Sequence, residues 1–181
     1  MDMLQHLLGL ETAGVTRASR LTGGDREQQA LTAAVTAGHS EVAEFLFQLP
    51  SVSIHKADSR AGLTPLAAAV TSGHRRLVEW VLRHKAQLTS EVIIMAVEAG
   101  HEDILELLSH GADFRVRNDR GQSLLHLAAS RGHCAILRRL LEMTSDDLGM
   151  MEADSEGLSP LTSAILGDQV ILASHWSVLI T

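Results

Sequence analysis

Ala61-Gly-Leu-Thr-Pro-Leu-Ala-Ala-Ala-Val-Thr-Ser-Gly-His74 is the stretch whose reading decides the fold. Its pattern is G-x-T-P-L-x-x-A-x-x-x-G-H. Thr64 has a side chain able to accept a backbone N–H at a helix start, and Pro65 at the first helical position forfeits no hydrogen bond. Gly73 supplies the left-handed residue that ends a short helix. Leu77, Val78, Val81 and Leu82 then fall on one face of a second helix. The predicted unit is a single helix–turn–helix, too small to bury its own apolar side.

The unit recurs along the chain. Residues in the Thr64 position are Gln29, Thr64, Glu91, Ser123 and Ser159, at successive spacings of 35, 27, 32 and 36 residues. The pair that closes the first helix recurs as Gly38-His39, Gly73-His74, Gly100-His101 and Gly132-His133, and becomes Gly167-Asp168 in the last copy. The fullest copy runs from Asn118 to Leu141, with Gly121, Ser123, Leu125-His126-Leu127-Ala128-Ala129, Gly132-His133 and Leu140-Leu141. A period of about 33 residues around a T-P-L-H-x-A core resembles the ankyrin repeat family. His110-Gly111-Ala112-Asp113 matches that family's G-A-D turn. The resemblance covers roughly residues 27–170 and implies an all-α solenoid of stacked helix–turn–helix units, four repeats and a degenerate fifth. It says less about function, because such folds carry binding sites for unrelated partners.

Composition agrees with thin helices packed through alanine faces. Of 181 residues, 45% are hydrophobic but only 3% aromatic, and tyrosine is absent. Sandwiches and barrels favour aromatic and β-branched strands instead. The formal net charge of −7 argues against nucleic acid as a partner. The single cysteine, Cys134, has no internal disulfide partner, which suits a reducing compartment. No run of 18 apolar residues is present to span a membrane, and the N-terminus lacks the positive segment of a signal peptide. An intracellular protein, cytoplasmic or nuclear, is the expectation.

The chain divides as follows. Residues 1–26 read as an N-terminal helix, either a half repeat or a cap, followed by a polar, glycine-containing linker over 14–26. Repeats span about 27–57, 58–87, 88–117, 118–145 and 154–175, and an irregular tail occupies 176–181. In the first repeat, Ala30, Leu31, Ala33 and Ala34 are expected to face inward, joined by Val42, Phe45 and Leu46 from the second helix. The third repeat is clipped between His84 and Glu91, where the family would place a projecting finger turn. Glu91 keeps negative charge at that helix start. Glu142, Asp146, Asp147, Glu152, Asp154 and Glu156 form an acidic connection, expected to be a solvated loop. Expected core residues are Leu66, Ala69, Leu125, Ala128, Ala129, Leu140 and Leu141. Beyond residue 170 the chain ends apolar, as a truncation, an alternative terminus or a docking segment would.

The motifs of chemistry are missing. Ten histidines invite a metal reading, but His39, His74, His101 and His133 follow helix-ending glycines, and His126 holds a repeat position, so structural hydrogen bonding accounts for them. His101-Glu102-Asp103-Ile104 lacks the second histidine of H-E-x-x-H. There is no Cys-x-x-Cys, G-x-S-x-G or phosphate-cradling P-loop. Cys134, at the start of a second helix, is the lone thiol candidate, against an ordinary surface role. No cofactor, metal or catalytic residue is expected.

Basic residues cluster at His74, Arg75, Arg76, Arg83, His84 and Lys85, and at Arg115, Arg117, Arg120, Arg131, Arg138 and Arg139. Stacking would join these into one strip for an acidic peptide, or leave them as solvated faces. A monomer is a separate expectation. The family resemblance implies a protein-binding scaffold whose concave face is lined by finger turns and first helices. By position this implies contacts from Asp58, Arg60, Leu63, Ala67, Val70, Thr71, Asp119, Arg120, Gln122, Leu127 and Ser130. The competing readings are a fragment of a larger array with no binding role of its own, and an enzyme, for which no constellation is found.

Overall fold

The computed structural model describes residues 25–143 and 152–167. Among the described residues there are nine α-helices, and the one extended pairing is an isolated antiparallel bridge between Arg117 and Ser123. The chain forms two compact units, one up to Ala86 and one from Gln87.

The first unit contains α1 (Asp25–Thr36), α2 (Ser40–Phe47), α3 (Pro65–Thr71) and α4 (Arg75–Arg83). Each helix pair packs through its first helix, α1 against both α2 and α3, and α3 against α4. The start of α3 is built as its sequence dictates. Thr64 is extended, and its Oγ1 accepts the Ala67 N–H at 3.2 Å while Pro65 opens the helix. Gly73 sits at φ +76°, and the following N–H of His74 returns to the Ala69 carbonyl at 3.1 Å.

The apolar stripe of α1 differs from the alanine face read from the sequence. Gln28, Leu31, Thr32, Ala34 and Val35 are buried, whereas Ala30 and Ala33 are exposed. The positions 28, 31, 32 and 35 make one helical stripe, and alanines 30 and 33 lie off it. In α2 the buried residue is Ala43; Val42 is 44% exposed, and Phe45 and Leu46 are half-buried. Asp25 and Arg26, assigned to the linker, are helical. Gln28 explains what holds the long connection after α2. Fully buried, it donates from Nε2 to the carbonyls of Ser53 (2.9 Å) and Lys56 (2.7 Å) and accepts the Ser53 N–H (2.9 Å). One amide side chain thereby satisfies three backbone groups.

The second unit contains α5 (Ser90–Ala99), α6 (Glu102–Leu108), α7 (Leu124–Arg131), α8 (Cys134–Met143) and α9 (Pro160–Leu166). Again the first helices carry the packing: α5 meets α6 and α7, and α7 meets α8 and α9, while α6 touches α8. The clipped connection is confirmed as residues 84–89, with no finger turn. Lys85 takes φ +62° there, the one non-glycine residue at positive φ among those described. α5 begins at Ser90 with Thr89 as its cap, two residues earlier than alignment on Glu91 implies. Glu91 still falls in the first turn, where its charge favours the helix dipole.

Leu125, Ala128, Ala129 and Leu140 are buried as expected, with Leu66 and Ala69 in the first unit; Leu141 is only half-buried. Burial of each large aliphatic side chain contributes about 1.5–3 kcal/mol. Gly167 does not copy the left-handed turns of the other closing glycines, at φ −77°. It lies so close to α7 that an added Cβ would stand 2.3 Å from the Ser130 carbonyl oxygen. Close approach, not helix termination, requires glycine there. The expected N-terminal half repeat, the linker up to residue 24 and the apolar ending beyond 167 lie outside the described residues.

Candidate partner-binding surface

Three finger turns share one construction. At each base an Asp or Asn pairs its backbone N–H with a carbonyl four or five residues on: Asp58 with Leu63 (3.0 Å), Asn118 with Gln122 (3.0 Å), Asp154 with Leu158 (2.9 Å). The side-chain oxygen of the same residue then accepts the N–H groups inside the turn. Asp58 takes those of Arg60 (2.7 Å) and Ala61; Asn118 takes Arg120 and Gln122 (3.0 Å each); Asp154 takes Glu156 and Leu158 (2.9 Å each). Short Asx side chains suit this because they reach their own backbone two residues on. In the second unit the two fingers are also joined, since Ser155 donates its N–H (3.1 Å) and Oγ–H (2.5 Å) to the Arg120 carbonyl. Most N–H groups of the turns are thus bonded within a finger or between two. Ser59, Arg60 and Ala61 on one tip, and Asp119 and Arg120 on another, stand exposed.

Asp154 departs from the solvated acidic loop expected for 142–156. It is 8% exposed, and its carboxyl is held below the usual carboxylate range, first by the Leu158 N–H, against the opposing effect of burial, then by the Glu156 N–H and the Gln122 amide. Gln122 bridges the two fingers, donating Nε2–H to Asp154 Oδ2 at 3.4 Å and accepting the Asn118 amide at 3.0 Å.

Histidines link successive helix pairs. His74 Nε2–H donates to the Thr36 carbonyl (2.9 Å), and His133 Nε2–H to that of Glu98 (3.2 Å). His126 is fully buried: its Nδ1 accepts the Ser123 N–H at 3.2 Å and lies 2.8 Å from the Ser123 hydroxyl, so Nε2 carries the proton donated to the Leu158 carbonyl at 2.9 Å. Among the described residues no three His, Cys, Asp or Glu side chains gather as a metal site would require. Cys134 is an exposed thiol beside the Gly132 carbonyl, 3.6 Å away.

A model of ankyrin repeats in three copies matches residues 1–91 and again 93–173. The chain belongs to the ankyrin repeat family. It is also 32% identical over 91 residues to the nuclear factor NF-kappa-B p105 subunit of Rattus norvegicus; those residues are 50% of this chain and 9% of that protein. Ankyrin repeats in general are protein-interaction modules and typically not enzymes. Among the described residues no helix is long and apolar enough to cross a membrane.

The ankyrin register sorts the positional candidates. Arg60, Thr71, Asp119 and Arg120 are exposed; Leu63, Gln122 and Ser130 are half-buried. Four need correction. Ala67 (4% exposed), Val70 (0%) and Leu127 (3%) face neighbouring helices, and Asp58 (5%) spends its carboxylate on its own turn. First helices of seven or eight residues, packed by neighbours on two or three sides, have few positions left for a partner. Ser130 is partly covered as well, its carbonyl beneath Gly167.

The arginines also resolve differently from an open positive strip. In the second unit Arg117 pairs with Glu152, Arg131 with Glu98 (3.4 Å), and Arg139 with Glu106 (3.2 Å) and Glu142 (3.6 Å). Each exposed pair adds only about 0–1 kcal/mol of stability, but together they offset the charge. The signal was present in the sequence. Arg131–Glu98 and Arg139–Glu106 are each separated by 33 residues, one repeat period.

Proposed function

We propose that this ankyrin array is a non-catalytic scaffold that binds a partner protein through its finger tips and the exposed ends of its first helices. The observation that supports it is the construction of the fingers. Arg60, Asp119 and Arg120 are exposed on turns held by Asp58 and Asn118, and among the described residues their side chains enter no hydrogen bond or ion pair. Conformationally tied loops carrying unspent side chains are the usual seat of binding. The relative from rat is by name a subunit, which suits a role in assembly with other proteins. A monomer acting inside the cell fits the lone Cys134. Protein is favoured over nucleic acid by the net charge of −7 and the paired arginines.

The test compares proteins captured from lysate by the wild-type chain and by the Arg60→Ala/Asp119→Ala/Arg120→Ala variant. These side chains are exposed, so circular dichroism and the melting temperature should not change. Specific partners should be lost from the variant by about tenfold or more, as expected on removing several interface charges. Identical capture by the two proteins would refute the finger-tip reading.

A further inference from the structure

A basic cluster surrounds the main aromatic contact of the first unit. Phe47, at the end of α2, meets Trp80 on α4 edge-to-face, with ring centroids 5.4 Å apart and planes at 84°. His84, one turn further along, lies 4.9 Å from Phe47 and 4.6 Å from Trp80. Its Nδ1–H donates to the Trp80 carbonyl at 2.8 Å. Phe47 and Trp80 are half-buried and His84 is exposed. The Trp80 indole N–H has no hydrogen-bond partner among the described residues, and it is not among the fully buried unpaired groups.

Charge flanks this cluster on the same helix. Arg76 is exposed one turn before Trp80, and Arg83, with its side chain 78% exposed, lies one turn after it, followed by exposed Lys85. Glu79 is shared between Arg75 at 3.2 Å and Arg83 at 3.9 Å, and Glu44 sits one turn before Phe47. Arg76 and Lys85 pair with no carboxylate among the described residues, whereas Arg117, Arg131 and Arg139 of the second unit each do.

We infer that the Phe47–Trp80 face of the second helices is a docking surface for an acidic peptide segment of a partner protein, anchored by an aromatic or aliphatic side chain. Carboxylates of the segment meet Arg76, Arg83 and Lys85, an acceptor meets the Trp80 N–H, and the anchor lies against the aromatic edge. Tryptophan and arginine are the residue types that most often carry interface energy, and arginine beside an aromatic ring adds cation–π attraction. Single-stranded nucleic acid also uses aromatics between basic residues. It is disfavoured because the edge-to-face pair offers no flat platform for successive bases and two glutamates stand within the patch. The surface is built from second helices and does not depend on the finger-tip reading.

The probe is acetyl-Glu-Asp-Phe-Glu-Asp-Leu-amide, titrated against the full chain carrying Trp176→Phe, which leaves Trp80 as the sole tryptophan. The expected result is a saturable change in tryptophan fluorescence, weakened about fivefold or more as salt rises from about 50 to about 300 mM. Arg76→Glu/Arg83→Glu should weaken it about tenfold or more, and the milder Arg76→Gln/Arg83→Gln a few-fold. Arg138→Glu, exposed on α8 of the second unit, should leave it unchanged. No saturation by about 1 mM peptide, undiminished binding by both double variants, equal binding of a peptide with lysine replacing each acid, or tighter binding of oligothymidylate would each overturn the proposal.

Discussion

Gly100→Ala should destabilise the second unit through two separable effects. The first is conformational: Gly100 sits at φ +80°, where an L side chain costs about 1–2 kcal/mol, partly offset by about 0.4–1 kcal/mol from the stiffer unfolded chain. The second is steric. A Cβ at this position would stand 2.6 Å from His133 Cε1 and 3.0 Å from Nδ1. The ring can retreat only by giving up its Nε2–H bond to the Glu98 carbonyl, now 3.2 Å, worth about 0.5–1.5 kcal/mol. The sum is about 2 kcal/mol. Gly157→Ala is the control: φ is +79° but nothing lies within 4 Å of its added Cβ, so only the conformational cost of about 1 kcal/mol remains. Urea unfolding of the two variants, and of Gly100→Ala in a His133→Ala background, gives the coupling directly. In that background the cost should fall to the Gly157→Ala value. Equal costs for Gly100→Ala with and without the His133 ring would refute the close approach and the histidine link built on it.

Leu125→Ala, at a site 1% exposed, should cost about 2–5 kcal/mol by urea unfolding; a loss below about 0.5 kcal/mol would contradict the register. His126→Ala removes the Leu158 carbonyl's buried donor and should cost about 1–3 kcal/mol or more. Hydrogen exchange should place the loss first in residues 154–166. Asp154 has a folded pKa lowered from the ordinary 3.8, so its stabilising contribution is complete above that value and is lost as pH falls through the lowered folded value. Asp154→Asn should flatten this part of an acid-unfolding profile, and an unchanged profile would remove Asp154 from the account. Lys85→Gly should stabilise by about 0.5 kcal/mol, because relief of the left-handed strain of φ +62° slightly exceeds the entropy that glycine loses on folding.

Helix ends were the most legible part of the sequence, because caps are local chemistry. Thr64-Pro65, Gly73 and Gly132 each do in the structure what their residue types require. Facing was less legible in alanine-rich helices: Ala30 and Ala33 look no different from Ala34, and only packing on α2 and α3 separates them. Ala67, Val70 and Leu127 entered the surface candidates by repeat position alone, which does not separate the packed side of a short first helix from its open side. Residues acting across a repeat were hidden by reading each copy alone. Gln28 reaches a loop 25–28 residues away, and Arg131 and Arg139 find glutamates one period back. Opposite charges at repeat spacing would have shown that Arg131 and Arg139 are paired. The Thr89 start of α5 was missed because the shortened connection shifts the cap away from the aligned Glu91.

Hydrogen exchange of the chain with and without its captured partner tests the finger-tip account most directly. Slowed exchange is predicted in residues 58–64 and 118–123, with the buried stripes of α3 and α7 unchanged. Protection confined to other segments, with the exchange of both fingers unaltered by the partner, would contradict it.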